Sequence, residues 1–327
     1  YNRIRHRPSL KLKRFRNDIH FENSLKTTLN YAFTNHLNLE TGYQLNETGV
    51  LSSTNINNPL YNRIQRSVML NHSAFAETNY TNHFWFIRTG VRFNYFDKIN
   101  QTTIEPRINV SYSFNENLNL NARFETKSQY TSQVIDYLDD FLGVEKRRWQ
   151  LVDNKNIPIA KSKQLSSGFD FHQNNWNIEI TAFYKFVDGI TTSNQGFYNN
   201  FQYKNAHGIY TDKGVEFLIN KTAKKYSSWL SYTYSQNNYD FDSFSPSTFP
   251  NNLDIKHSVS LGFNYNVLDN FKISIGGIWH NGLPYTKPLE GNETVKNGNN
   301  YFVNYDAPNS LNLNNFLRLD TSVSYNF

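Results

Sequence analysis

Cysteine is absent from the 327 residues, methionine occurs once, and glycine and proline number only 15 and 9. Without cysteine there is no disulfide framework, thiolate metal site, redox thiol or cysteine nucleophile. No window approaches the 18 or so consecutive apolar residues of a transmembrane helix. No charged-then-apolar leader opens the chain either. The first residue is Tyr1 rather than an initiator methionine, so a processed or partial chain is expected. Charge of one sign is also scarce, with 33 Lys+Arg against 27 Asp+Glu and a net charge of +6. The one dense run is Arg3, Arg5, Arg7, Lys11, Lys13, Arg14 and Arg16. It reads as a solvated strand face or linker, since nucleic-acid binding calls for a basic stripe on one element.

Aromatics are present in bulk: 26 Phe, 22 Tyr and 5 Trp, beside 49 Asn. The mean hydropathy of −0.67 is nevertheless that of a solvated or disordered chain, and disordered chains lack aromatics. The conflict is resolved by periodicity. Helical spacing is almost missing, whereas period-two alternation recurs from end to end. In TTIEPRINVSYSF, Ile104, Ile108, Val110, Tyr112 and Phe114 share one face, and Thr103, Glu105, Arg107, Asn109 and Ser111 share the other. WNIEITAFYKF and FLRLDTSVSYNF repeat the pattern.

This reading predicts thirteen strands near 19–33, 36–47, 67–80, 84–97, 102–114, 118–130, 163–173, 176–187, 211–220, 226–237, 255–267, 271–281 and 315–327. Most are longer than the usual strand of about five or six residues. A tilted strand of about twelve residues covers the hydrocarbon thickness of a membrane. Short polar turns at 34–35, 81–83, 115–117, 174–175, 221–225 and 268–270 alternate with loops near 48–66, 98–101, 131–162, 188–210, 238–254 and 282–314. In an antiparallel meander that alternation places turns at one end and loops at the other, the asymmetry of an outer-membrane barrel. Tyr31, Phe33, Phe84, Trp85, Phe114, Phe171, Trp176, Tyr265 and Phe271 flank the turns, where an interfacial aromatic belt would lie. The predicted fold class is therefore all-β, a transmembrane antiparallel up-and-down β-barrel. Residues 1–18 are taken as a basic entry segment or partial strand, and 19–327 as the barrel region.

The order and spacing of several stretches carry a resemblance. They are FAETNYTNHFWFIRTGVRFNYF, TTIEPRINVSYSF, KSKQLSSGFDF, ITAFYKFVDGI, GIYTDKGVEFLI with Gly208, Gly214 and Glu216, IKHSVSLGFNY and NNFLRLDTSVSYNF. In that order they resemble the barrel of TonB-dependent outer-membrane receptors of the Bacteroidetes type, over most of residues 19–327. The resemblance implies a twenty-two-stranded barrel of which about 13–14 strands are present. It implies a multi-pass location in the bacterial outer membrane and active uptake of a scarce solute, with energy from the TonB–ExbB–ExbD complex acting through a plug domain. It further implies that a plug, the first strands and a last hairpin belong to the whole receptor. The alternating strand ending at Phe327 also fits a true barrel terminus.

No catalytic constellation emerges: no G-x-S-x-G, H-E-x-x-H or phosphate loop occurs, and the nine histidines are scattered singly. An enzyme is not expected, nor is a cofactor or nucleic-acid partner. Binding and transport remain. Loop residues Arg147, Arg148, Trp149, Tyr198, Phe201, Tyr203, His207, Tyr285, Tyr301 and Tyr305 are candidate solute contacts, as is Phe197. The alternative for each is packing of loop on loop. The segment DYLDDFLGVEKRRW suggests a short helix. Its Asp136, Asp139 and Asp140 read either as a Ca²⁺ site or as a solvated acidic face, and their spacing is no EF-hand. Arg88, Arg92, Glu105, Arg107, Arg123, Glu125, Glu179, Arg318 and Asp320 fall on the polar side of their strands, the lumen side. In the resembling family that wall faces the plug. Expected partners are outer-membrane lipid, the energy complex, a small-molecule, glycan or peptide solute, and a surface lipoprotein. The alternative is a plug-less porin-like or surface-binding barrel.

Overall fold

A computed structural model describes residues 14–57, 60–135, 147–153, 155–197 and 205–327. Thirteen long strands follow in chain order: β1 (Arg14–Ala32), β2 (Leu37–Asn57), β3 (Leu60–Thr81), β4 (Trp85–Phe96), β5 (Gln101–Asn115), β6 (Leu118–Gln129), β7 (Ala160–Gln173), β8 (Trp176–Thr191), β9 (His207–Thr222), β10 (Tyr226–Asp240), β11 (His257–Leu268), β12 (Phe271–His280) and β13 (Phe316–Tyr325). Each pairs with its chain neighbour in one sheet, and a short strand at Thr248–Pro250 adds to the end of β10. The ladders are antiparallel throughout, so the sheet is the expected meander.

Alternation decides which way each face points, and the outcome is inverted relative to a water-soluble sheet. On β5, Ile104 and Ile108 are 59% and 47% exposed, while Thr103 and Glu105, which flank Ile104, are 6% and 8% exposed. The same inversion buries Ser73, Glu77, Asn94 and Asn121 and exposes Phe93, Leu120 and Leu165. Soluble folds bury the apolar set. A sheet with apolar residues outward and polar residues inward is the transmembrane-barrel arrangement, in which lipid covers the outer band.

Asparagine accounts for the short turns. Asn82 Oδ1 accepts the amides of Phe84 and Trp85, and Asn115 Oδ1 accepts those of Asn117 and Leu118. Asn174 and Asn175 both have positive φ, as the two-residue hairpin turn requires. Beside these turns the rings of Tyr31, Phe33, Phe84, Trp85, Phe114 and Trp176 are exposed. Trp85 packs on Tyr112 of β5 at 4.5 Å between ring centroids, and Phe271 packs on Tyr325 of β13 at 6.4 Å. The wall also pairs large with small: Phe183 lies over Gly214 and Trp229 over Gly262, where a Cβ would collide with the ring. Covering a strand glycine with a cross-strand aromatic restores the packing that the missing side chain gives up.

The structure departs from the sequence reading in two places. The loop expected at 48–66 is instead the far half of a long hairpin, because β2 runs on to Asn57 and β3 begins at Leu60. At 21 and 22 residues these strands reach about 70 Å and extend well past a hydrocarbon layer. Beyond the lipid the outer face meets water and the inner face packs under the loops, burying Val50, Ser52 and Thr54, so the hydropathy alternation fades although the ladder continues. The helix suggested by DYLDDFLGVEKRRW is not seen where it can be checked. Arg147–Leu151 is a strand paired with Thr131–Ile135, and 136–146 lie outside the described residues. Residues 14–18 of the segment taken as a basic entry segment or partial strand form the start of β1.

The orientation of the faces can be tested directly. Val110→Arg or Leu261→Arg places a charge on the lipid side, at a cost of about 2–4 kcal/mol near mid-membrane. Loss of the heat-modifiable folded band of the full receptor is expected on gel electrophoresis, whereas Ser111→Arg on the lumen side keeps it. Equal behaviour of the three variants would overturn the assignment.

Candidate functional site at the loop end of the barrel

The long connections form a packed layer with two hydrophobic centres of their own. In the first, the hairpin Thr131–Ile135/Arg147–Leu151 turns inward against the upper walls of β2 and β3. Val134, Leu151, Val152, Ile157 and Ile159 pack there on Val50, Met69 and Phe96. Trp149 stacks on His20 at 4.9 Å, and the Thr48 and Tyr130 hydroxyls meet at 3.1 Å. In the second, Phe197 sits among Tyr239, Phe241, Phe244 and Phe249. Phe197 is 2% exposed, so this ring serves loop-on-loop packing and is withdrawn as a solute contact.

Side-chain amides tie one loop to the next. The Arg147 guanidinium donates to the Asn194 carbonyl at 3.1 Å, and Asn252 Nδ2 donates to the Gln195 and Gly196 carbonyls at 3.0 and 3.2 Å. Asn309 Nδ2 donates to the Pro250 carbonyl and to Asn252 Oδ1, both at 2.8 Å. The Tyr239 hydroxyl donates to Gln195 Oε1 at 2.9 Å. Burial pushes that phenol's pKa upward, which keeps it a donor. Buried loop carbonyls thus find partners that a sheet ladder cannot supply.

Asp153 organises the return of the inward hairpin. Its carboxylate accepts the amides of Lys155, Asn156 and Ile157 at 3.0, 2.8 and 2.9 Å. Partial desolvation opposes ionisation, but the three amides together with the Asn156 side chain outweigh it and hold the carboxyl below its usual range.

Between these loops lies a cavity of about 700 Å³, open to the mouth. Of the candidates read from sequence, Arg147 and Trp149 line it and Arg148 between them does not. His207 opens β9 opposite Thr191. Tyr285 pairs with Leu311, Tyr301 stands 70% exposed on the hairpin Thr294–Asn297/Asn300–Val303, and Tyr305 bridges Pro288; none of these four lines the cavity. Tyr198, Phe201, Tyr203, Asp136, Asp139 and Asp140 lie outside the described residues. Among the described residues no group of three or more His, Asp or Glu is placed to hold a metal. Sequence reasoning missed Gln195, Tyr210, Asn237, Tyr239, Asn251 and Asn252, all of which line the cavity. Their one signal is amide density around loop ends, which is shared with every turn.

A family model described as TonB dependent receptor-like, beta-barrel matches residues 2–327. The chain belongs to this family. Its members are outer-membrane transporters rather than enzymes. A search of curated sequences gave no match. Among solved structures, the ferric citrate transporter FecA in its unliganded form is similar over 97% of this chain and 48% of its own, with 13% identity and a TM-score of 0.65. The FrpB iron transporter of Neisseria meningitidis, F5-1 variant, aligns over 94% and 49%, with 10% identity and a TM-score of 0.66. The ferric yersiniabactin uptake receptor FyuA of Yersinia pestis aligns over 96% and 47%, with 11% identity and a TM-score of 0.61. At such identities the likeness concerns the fold, and the chain spans about half the length of these structures. Among the described residues no helix is long and apolar enough to cross a membrane.

Below the cavity the inner face of this receptor barrel is charged. Cross-strand register sets Arg92 opposite Glu105, Arg107 opposite Glu125, Arg88 opposite Asn109 and Arg123 opposite Asn109 on its other side. Glu179 faces Asp170, and Arg318 and Asp320 sit beside Ile278 and Gly276. All nine predicted lumen residues therefore share the face of the buried polar set. Arg88 pairs with Glu77 at 2.6 Å and Arg318 with Asp320 at 2.8 Å. Arg92 donates to Asn94 and Gln44, each at 2.9 Å, and Glu105 accepts the Ser128 hydroxyl and amide.

The Asp153 turn carries a pH signature. With a folded-state pKa below the unfolded one, its stabilisation is present at neutral pH and lost as pH falls through the folded value. Amide NMR shifts of Lys155, Asn156 and Ile157 in micelles should titrate together, with a midpoint below that of an ordinary aspartate. A midpoint at or above it would show that the three amides do not hold the carboxylate.

Proposed function

We propose that this chain supplies wall and outer loops to an active outer-membrane receptor. Such a receptor captures a scarce solute in the loop layer and passes it inward with energy delivered by the TonB complex through a plug. The observation that carries the reading is family membership along the whole chain, joined to a lumen wall dense in arginines and carboxylates. Of its pocket-lining guanidiniums, Arg107 and Arg123 form no ion pair or hydrogen bond within the described residues. A charged, unfilled inner face suits a wall built to meet further polar protein, and a loop layer folded over the mouth suits selective capture rather than free diffusion. The matched structures are named as iron transporters, but their likeness concerns the fold and does not choose the solute. The plug contacts of Arg88, Arg92, Glu105, Arg107, Arg123, Glu125, Glu179, Arg318 and Asp320 belong to this proposal, as does capture of solute beside Arg147 and Trp149.

Energy dependence is the test. With the receptor gene disrupted in its own host, growth should fail on one limiting nutrient among iron chelates, cobalamin, glycans and peptides. Disrupting the TonB gene should reproduce the defect. Uptake that persists without TonB would establish a passive porin-like barrel instead.

A further inference from the structure

We propose that the cavity at the loop end takes an uncharged, hydroxyl-rich solute of the oligosaccharide class. This rests on the uptake reading above and names its substrate. Among the described residues that line it, seven side chains are carboxamides and none is Asp, Glu or His. The single charge is Arg147, whose guanidinium is already committed to the Asn194 carbonyl. That bond leaves the guanidinium charged, so the described lining carries one positive charge and is otherwise neutral, in contrast to the wall beneath it.

Two of the amides are unfinished. Asn237 Oδ1 is buried with no hydrogen-bond partner. Asn251 is 5% exposed, and its Oδ1 accepts the Leu253 amide at 2.9 Å while its Nδ2 has no acceptor among the described residues. The two residues are held together, since the Asn251 amide donates to the Asn237 carbonyl at 2.9 Å. The unpaired acceptor is costly in a buried site unless a ligand satisfies it, and the Asn251 donor beside it is free to bond the same ligand. A carboxylate or phosphate offers acceptors only, and an ammonium offers donors only. A hydroxyl does both at once, and vicinal sugar hydroxyls present such groups in series. Trp149 and Tyr210 add ring faces, apolar bodies suited to the C–H face of a pyranose. The volume falls within the usual range of about 300–1,000 Å³ for small-molecule sites.

Calorimetric titration of the full receptor in detergent decides the matter, using maltotriose, cellotriose, xylotriose and mannotriose against ferric citrate and cyanocobalamin. At least one trisaccharide should bind saturably. Asn251→Asp keeps the oxygen that caps Leu253 and replaces the amide donor by a charged acceptor. It should weaken binding at least tenfold, and Trp149→Ala should do likewise, with the heat-modifiable folded band retained. Binding of ferric citrate or cyanocobalamin alone, silence across the panel, or unchanged affinity in Asn251→Asp would each overturn the oligosaccharide assignment. Loss of the uptake reading registers separately, as growth on every tested nutrient that is indifferent to TonB.

Discussion

Everything in this molecule depends on one requirement: a backbone that crosses hydrocarbon must satisfy its own amides and carbonyls, because lipid offers them no partner. The antiparallel ladder meets it and fixes a side-chain period of two. A slip of one residue between β5 and β6 would carry Glu125 and Arg123 into lipid and Phe124 into the lumen, so register is held by every pair at once. The composition follows. Half of each strand is apolar for lipid and half polar for the interior. A chain of low mean hydropathy can therefore carry 26 Phe and 22 Tyr without an apolar centre in its sheet.

The same requirement explains why the hydrophobic clusters lie where they do. Within the barrel the ladder supplies order, and Ser73, Asn94 and Thr103 form a buried polar chain with 2.7 and 3.2 Å bonds. Above it the connections have lost the ladder and must be ordered by other means. Burial of Phe197 and Phe241, at 2% and 0% exposure, is one. The amide ties from Asn252 and Asn309 are the other. The loop layer thus resembles a small soluble fold seated on a membrane wall, with opposite burial rules meeting at residues such as Met69 and Tyr239.

How much of this was legible follows from which rule governs each segment. All thirteen meander strands were readable because lipid on one side and water on the other impose contrast at every second residue. The nine lumen residues were readable for the same reason. At 48–57 the contrast disappears, since the outward Ser53 and Asn55 no longer meet lipid while the inward Ser52 and Thr54 are polar groups buried under the loops, and the strand was read as a loop. The loop layer was hardly readable. Phe197 and Trp149 are both loop aromatics, yet one became a cluster centre and the other a cavity wall. That choice depends on loops such as 192–197 and 248–254 meeting in space. Asn251 and Asn252 were invisible among 49 asparagines, most of which serve turns or loop polarity.

The contrast between wall and mouth constrains any mechanism. In the wall, Arg88, Arg92, Arg107 and Arg123 stand among Glu40, Glu77, Glu105 and Glu125, and these carboxylates, partners or water must offset the repulsion between the guanidiniums. A charged solute would be held there by strong and directional forces. At the mouth the same solute would find neutral carboxamides and one guanidinium already bonded to a backbone carbonyl, hence a weaker hold than in the wall. An uncharged solute meets the reverse gradient: hydrogen bonds and ring faces retain it at the mouth, and the arginines below offer it no comparable hold. Under the uptake reading proposed above, capture outside and weak retention inside is the order that vectorial movement needs. The division of amides above from guanidiniums below provides it without any moving part in the wall.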